Sequence, residues 1–292
     1  MKAAIYSRVL DDDQQLDVQS FFDELAEQKI EPIIFQQFHE QIKEKIRLPA
    51  GTRTFCLSDD LTPEIEFIIS LGGDGTLLDT ITMVRDRNIA IMGINFGRLG
   101  FLAGIGRAEL KDAVKAIARR TYVVDKRTLI HLDANLPMFG NVPYGLNDFS
   151  IHKRDVASMI KIHTYLNGEF LNTYWADGLI VATPAGSTGY SVSCNGPVVF
   201  PESGSFVITP VAPHNLNVRP IIVPDDNIIS FEIESRAEQI ICALDSRREI
   251  VSKKVQLAVR KESFEVSLVR LSENNFLQTL RNKLTWGLDK RN

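Results

Sequence analysis

The chain has 292 residues, 44% of them hydrophobic and 24% charged, the proportions of a folded globular protein rather than of a long disordered arm. That length exceeds what one ordinary core supports, so two domains are expected. A formal net charge of −4 excludes bulk binding to nucleic acid, which needs a cationic surplus to neutralise phosphate, although it leaves room for a local basic pocket.

The run Met1–Tyr6 turns polar at Ser7, too short an apolar stretch for a signal peptide, and no later segment is long enough to span a bilayer. Cytoplasm without membrane attachment is the resulting expectation. Cys56, Cys194 and Cys242 are far apart and odd in number, so they read as reduced thiols rather than a disulfide framework or a metal site.

Along the first 120 residues, short apolar runs alternate with helical periodicity, the pattern of strands that cross over through helices into a parallel sheet. Ala3–Tyr6 opens as a strand. Val18, Phe21, Phe22 and Leu25 fall on one helical face, and Pro32–Phe35 supplies the next strand. Phe67–Leu71 is nearly continuous apolar sequence ending in glycines, as a central strand buried on both faces would be. Leu77, Leu78, Ile81 and Val84 then predict a helix, Ile89–Ile94 a strand, and Leu110, Val114 and Ile117 a further helix, completing a doubly wound unit.

From Thr121 the texture changes to short runs rich in Val, Ile and Tyr, broken by Pro, Gly and Asn, which predicts a mostly β second domain. Its expected strands cover 122–132, 144–151, 158–166, 178–182, 206–211, 228–234, 239–244, 255–260 and 264–269. Leu277, Leu280 and Leu284 mark a short C-terminal helix with Gly287 as its stop. The fold class is therefore α/β: an N-terminal doubly wound α/β nucleotide-binding domain over 1–122, a β-rich domain over 123–270 and a helical tail over 271–292.

Gly72-Gly73-Asp74-Gly75-Thr76 stands between the buried strand and a helix. Closely spaced glycines let the backbone approach a ligand, and the free N–H groups of a helix start attract an anion, so the segment describes a phosphate cradle. A carboxylate inside such a cradle would be repelled by phosphate unless it held a metal, a water or a hydroxyl proton. The same residues would also serve as a plain strand-to-helix turn with Asp74 as a cap. Neither the P-loop spacing nor the common dinucleotide fingerprint is present.

Asp177-Gly178 and Thr183-Pro184-Ala185-Gly186-Ser187-Thr188-Gly189-Tyr190-Ser191 form a second cluster, with hydroxyls among small residues and an aromatic face for a base. Ala185 stands where a serine-hydrolase elbow needs glycine, which argues against nucleophilic catalysis by Ser187. A turn into a short helix is the competing reading. Two more segments complete the set: Gly93–Leu102, whose loop should sit at the same carboxyl edge of the sheet, and Gly145-Leu146-Asn147-Asp148, able to hydrogen-bond a ribose or simply to turn. His131, His152, His163 and His214 lack paired ligand spacing and read as structural, and Asp11-Asp12-Asp13 as a solvated loop.

In order and character these four segments resemble the NAD kinase family over most of the chain. The glycine-aspartate motif alone is shared with lipid kinases and, more loosely, with phosphofructokinases. The resemblance implies transfer of the γ-phosphate of ATP to the 2′-hydroxyl of the adenosine ribose of NAD, with Mg²⁺ or another divalent cation. It implies Asp74 as general base and Gly72, Gly73, Gly75 and Thr76 as the phosphate cradle. It implies an NAD site formed by Asp74, Gly75, Phe101, Asn147, Asp148, Ser158, Trp175, Asp177, Ala185, Thr188, Gly189, Tyr190, Ser191, Val192, Ser193 and Arg247, with no metal-ligating residue assigned. Asp148 stands where glutamate is more usual and Gly189 where alanine is common. A homodimer or homotetramer is the expected assembly. A lipid kinase sharing the motif and a non-catalytic nucleotide sensor are the alternatives.

Overall fold

The structure, a computed structural model, describes residues 1–97, 100–155, 158–271 and 276–284. Arg98 and Leu99 of the Gly93–Leu102 segment, and the expected helix stop Gly287, lie outside the described residues. The chain forms two compact units: Met1–Lys126 with the residues from Val266 onward, and Arg127–Glu265.

In the first unit the elements follow as β1 (Lys2–Tyr6), α1 (Gln15–Glu27), β2 (Glu31–Phe35), α2 (Gln36–Ile42), β3 (Arg53–Phe55), β4 (Ile65–Leu71), α3 (Asp74–Val84), β5 (Ala90–Asn95), β6 (Ile105–Gly106) and α4 (Leu110–Arg119). The strands pair in parallel in the order β5-β4-β1-β2-β3. Ile68 and Ile69 of β4 have no exposed surface, which is why that strand reads as an unbroken apolar run: helices cover both faces of a parallel sheet. Val18, Phe21, Phe22 and Leu25 are buried on α1, and Leu110, Val114 and Ile117 on α4, as the periodicity predicts. On α3 the buried face is Leu77, Thr80, Ile81 and Val84; Thr80 takes the place expected of Leu78 because its hydroxyl is satisfied by Leu77 O at 2.6 Å.

The second unit begins within β7 (Val123–Ala134) and continues through β8 (Tyr144–Gly145), β9 (Asp148–Lys153), β10 (Ile160–Leu166), β11 (Glu169–Ala176), β12 (Gly178–Ala182), α5 (Tyr190–Ser193), β13 (Ser205–Val211), β14 (Ile221–Pro224), β15 (Ile229–Glu234), β16 (Gln239–Leu244), β17 (Arg247–Ser252) and most of β18 (Leu257–Arg270). One antiparallel sheet runs β14-β13-β12-β9-β16-β17, and β11, β10, β15 and the start of β18 form another antiparallel ladder. Phe149, Leu179, Phe206 and Ile240 of the first pack with Ile162, Tyr174, Phe231 and Val259 of the second in one apolar core. This is a two-layer β packing in which each inner face is shielded by the other.

The far end of β18 returns to the first unit, where Leu268 and Val269 pair in parallel with Ile91 and Met92 of β5; α6 (Phe276–Leu284) follows, with Leu280 buried. The strands expected over 255–260 and 264–269 are thus one strand, and 144–151 is broken at Leu146–Asn147. The elements not anticipated are α2, β3, β6, β11, β14 and β17. No helix among the described residues is long and apolar enough to cross a membrane.

Candidate active site

In the first unit the strand order reverses between β1 and β4, and the loops leaving the carboxyl ends of two such strands open a crevice where ligands bind. Here those loops are Ser7-Arg8 and Gly72-Gly73. Gly72 has φ +149, and a Cβ on it would lie 2.5 Å from Thr76 Oγ1. Among the described residues, the N–H groups of Gly73, Asp74 and Gly75 have no partner. These are the open donors of a helix start, and the dipole of α3 adds to their attraction for an anion.

Asp74, the first residue of α3, is half-buried. Its Oδ2 accepts Phe101 N–H at 2.9 Å, and its Oδ1 accepts Leu102 N–H at 3.1 Å and Ala103 N–H at 2.9 Å. The loop after β5 can come this close because two glycines make room. A Cβ on Gly93 would lie 2.7 Å from Leu77 Cδ1, and one on Gly100 would lie 1.7 Å from Asp74 Oδ1. A carboxylate has about four acceptor positions, so three N–H donors fix its orientation and leave one position open on Oδ2. Asn95, at the end of β5, accepts Gly97 N–H at 2.9 Å and shapes the same loop.

Arg8 borders this loop. Its Nε and Nη2 fork onto Asp79 of α3, with Nη2 2.6 Å from Oδ1, and Nη2 also donates to Gly75 O at 3.1 Å. The Tyr6 hydroxyl donates to Asp79 Oδ2 at 2.9 Å, and burial together with that carboxylate raises the phenol's pKa.

In the second unit, antiparallel register sets Asp148 opposite Ala182 and Phe149 opposite Leu244. The start of β9 therefore meets the ends of β12 and β16, and the turns at Leu146-Asn147, Thr183–Gly189 and Asp245-Ser246 share one end of the sheet. Thr183 N–H donates to Asn147 O at 2.8 Å, and the Thr183 hydroxyl to Leu146 O. A Cβ on Gly186 would fall 1.9 Å from Asn147 O, so only glycine lets this loop lie against β9. Asp245, at φ 52, accepts N–H from Leu146 at 2.8 Å, Asn147 at 2.7 Å and Asp148 at 3.2 Å. Burial pushes the pKa of Asp245 up, against the pull of these three donors.

That scaffold presents two polar side chains. Asn147 Oδ1 is buried without a hydrogen-bond partner, the condition of a group built to receive one from a ligand. Asp148 is 7% exposed, and burial, with Asp245 nearby, pushes its pKa up to about 7. Gly189 faces both: a Cβ there would lie 3.9 Å from Asn147 Nδ2 and from Asp148 Oδ2.

The remaining expected residues fall into two groups. Tyr190 is exposed, its ring 5.6 Å from that of His152, while Asp177 pairs with Lys153 at 2.7 Å and Trp175 stacks on His214 at 4.4 Å. Burial lowers the His152 pKa, with Asp177 opposing. Ala185, Val192 and Ser158 are half-buried and Ser193 is exposed. By contrast, Ser191 spends its hydroxyl on Thr209 at 2.8 Å, Thr188 on Ala185 O at 3.2 Å, and Arg247 its fork on Val142 O and Tyr144 O. Ser187 is buried and bonded to Pro184 O and Val199, so its hydroxyl is not poised as a nucleophile.

The sequence does not single out Arg8, Asp79 or Lys153, and it marks His152 only as structural. For Arg8 a usable signal was its place directly after the first strand of a doubly wound sheet. The others depend on tertiary partners.

Residues 53–122 match the family description "ATP-NAD kinase N-terminal domain" and residues 146–271 match "ATP-NAD kinase C-terminal domain". A protein of Cytophaga hutchinsonii named NAD kinase is 48% identical over 99% of this chain and 99% of its own length. One of Flavobacterium psychrophilum with the same name is 40% identical over 100% of both. Among solved structures, an NAD kinase from Archaeoglobus fulgidus in complex with ATP superposes with a TM-score of 0.78 at 25% identity, covering 98% of this chain and 99% of that one. Yeast NADH kinase complexed with NADH gives 0.89 at 20% identity, covering 99% and 88%, a likeness of fold. The chain belongs to the ATP-NAD kinase family.

Proposed function

We propose that this protein is an NAD kinase that moves the γ-phosphate of ATP to the 2′-hydroxyl of the adenosine ribose of NAD. The observation that carries the reading is the oriented carboxylate of Asp74, held in a glycine loop among open helix-start N–H groups with one acceptor position to spare. Asp74 receives the proton of the 2′-hydroxyl as the oxygen attacks phosphorus. The amides of Gly73 and Gly75, with Thr76, hold the phosphates. Because phosphoryl transfer has a loose transition state, positioning and charge neutralisation supply most of the acceleration, and a base adds about 10²–10⁴-fold.

Asn147 and Asp148 accept and donate hydrogen bonds to the dinucleotide. Phe101 and Tyr190 offer apolar faces to its rings, and Asp177, Trp175, Ala185, Gly189 and Ser158 line the rest of its path. Thr188 and Arg247 bond backbone carbonyls and Ser191 bonds the Thr209 hydroxyl, and these contacts set the segments that line the dinucleotide's path. Mg²⁺ enters with ATP in this reading, held chiefly by phosphates and water. A cytoplasmic location and assembly as a homodimer or homotetramer belong to the same proposal.

The test is purified protein with ATP, Mg²⁺ and NAD, with NADP measured by an NADP-specific dehydrogenase cycling assay. Parallel arms replace NAD by NADH, ATP by polyphosphate, and the acceptor by diacylglycerol or sphingosine. NADP formation is expected; a phosphorylated lipid with no NADP would overturn the reading in favour of a lipid kinase. Nucleotide binding with no product in any arm would favour a sensor.

A further inference from the structure

We propose that Arg8, which the glycine-aspartate motif does not include, is the cation that grips the phosphate chain of the donor nucleotide. The inference rests on the kinase reading above and adds a phosphate-binding residue to it. Arg8 leaves the carboxyl end of β1, the strand that flanks β4 at the reversal of sheet order, so it borders the crevice that the Gly72–Thr76 loop also borders.

The side chain is set in advance. Asp79 takes its Nε and Nη2, Gly75 O takes Nη2 as well, and the Tyr6 hydroxyl fixes the Asp79 carboxylate from the other side. Nη1 has no such partner among the described residues, and a Cβ on Gly75 would lie 3.7 Å from it. The two Nη1 donors therefore lie beside Gly75, the point of the loop where no side chain stands in the way. A guanidinium fixed at one edge by a carboxylate keeps its outward edge positive, and a planar fork suits phosphate oxygens. An exposed ion pair contributes little to stability by itself. The buried Tyr6 hydroxyl behind it makes sense as a device that holds one Arg8 rotamer at a site where ATP would otherwise meet the carboxylate of Asp74.

The experiment measures equilibrium binding of AMP, ADP and a non-hydrolysable ATP analogue to the full-length protein, with Mg²⁺, for wild type, Arg8→Met and Arg8→Lys. Turnover is not required, so failure of this proposal is distinguishable from failure to make NADP. In wild type, affinity rises with each added phosphate. In Arg8→Met the analogue is expected to bind roughly tenfold or more weakly, as for loss of a charge-assisted hydrogen bond, while AMP binding stays within twofold. Arg8→Lys, which keeps charge but loses the fork, falls between. Equal weakening of AMP and the analogue, or equal loss in the Met and Lys variants, would overturn the proposal and leave Arg8 a structural ion-pair partner of Asp79. If Arg8→Met does not fold, the Lys variant decides: wild-type phosphate dependence in it contradicts a role for the fork.

Discussion

The carboxylate of Asp74 occupies the space that a side chain at position 100 would need: a Cβ on Gly100 would sit 1.7 Å from Asp74 Oδ1. The glycine is thus part of how the carboxylate is aimed, although 26 positions separate the two in sequence. Gly100→Ala should turn Asp74 away from the Phe101–Ala103 amides. Since a misplacement of about 1 Å can cost about 10²-fold, kcat is expected to fall on that order while the thermal midpoint drops only a few degrees. Unchanged kcat in steady-state kinetics would show that the aim of the carboxylate does not matter.

Gly186 makes the corresponding close approach in the second unit, against the carbonyl of Asn147 rather than a side chain. Backbone on both sides cannot yield as a flexible side chain can. Gly186→Ala is expected to cost about 1–3 kcal/mol in urea unfolding, the range of an overpacked core, and to raise the KM for NAD while leaving that for ATP near wild type. A variant as stable as wild type with ordinary NAD affinity would contradict this placement.

Asp148 carries the pH dependence. Its carboxyl titrates near 7 in the folded protein and near 4 when unfolded, so between those values the folded state holds the extra proton. Stability attributable to this group is present below pH 4 and is lost as pH rises through 7. Asp148→Asn should therefore gain stability relative to wild type on passing from pH 4 to pH 8, by an amount on the order of a few kcal/mol. Because the ionised carboxylate is the better acceptor for ribose hydroxyls, the wild-type KM for NAD should fall over pH 6–8 and that of the Asn variant should not. Denaturant titrations and KM profiles at several pH values check both, and parallel behaviour of the two proteins would remove Asp148 from the account.

Much of this arrangement was legible in the sequence, for identifiable reasons. β4 and the Gly72–Thr76 turn could be read because a strand buried on both faces writes an unbroken apolar run, and because glycines mark where backbone must come close. The edge strand β17 is missed because it opens on three charged residues, Arg247, Arg248 and Glu249, leaves Ile250 exposed, and so looks like loop. β3 has three residues, and α2 shows only Phe38 and Ile42 as its buried face. The partnership of Arg8 with Asp79 spans 71 positions, and the support Asp245 gives to residues 146–148 spans 97 to 99. Neither leaves a local pattern, because both arise only once strand order is set. Ser191 and Arg247 have partners of the same kind, Thr209 for one and the carbonyls of Val142 and Tyr144 for the other, which residue type alone does not foretell.

The most direct measurement is the rate of NADP formation by Asp74→Asn at saturating ATP, Mg²⁺ and NAD, together with NAD binding by calorimetry. Asparagine keeps the shape and one acceptor oxygen but cannot take a proton. The account predicts a kcat lower by about 10²–10⁴-fold with NAD binding still detectable. Turnover near that of wild type would contradict it.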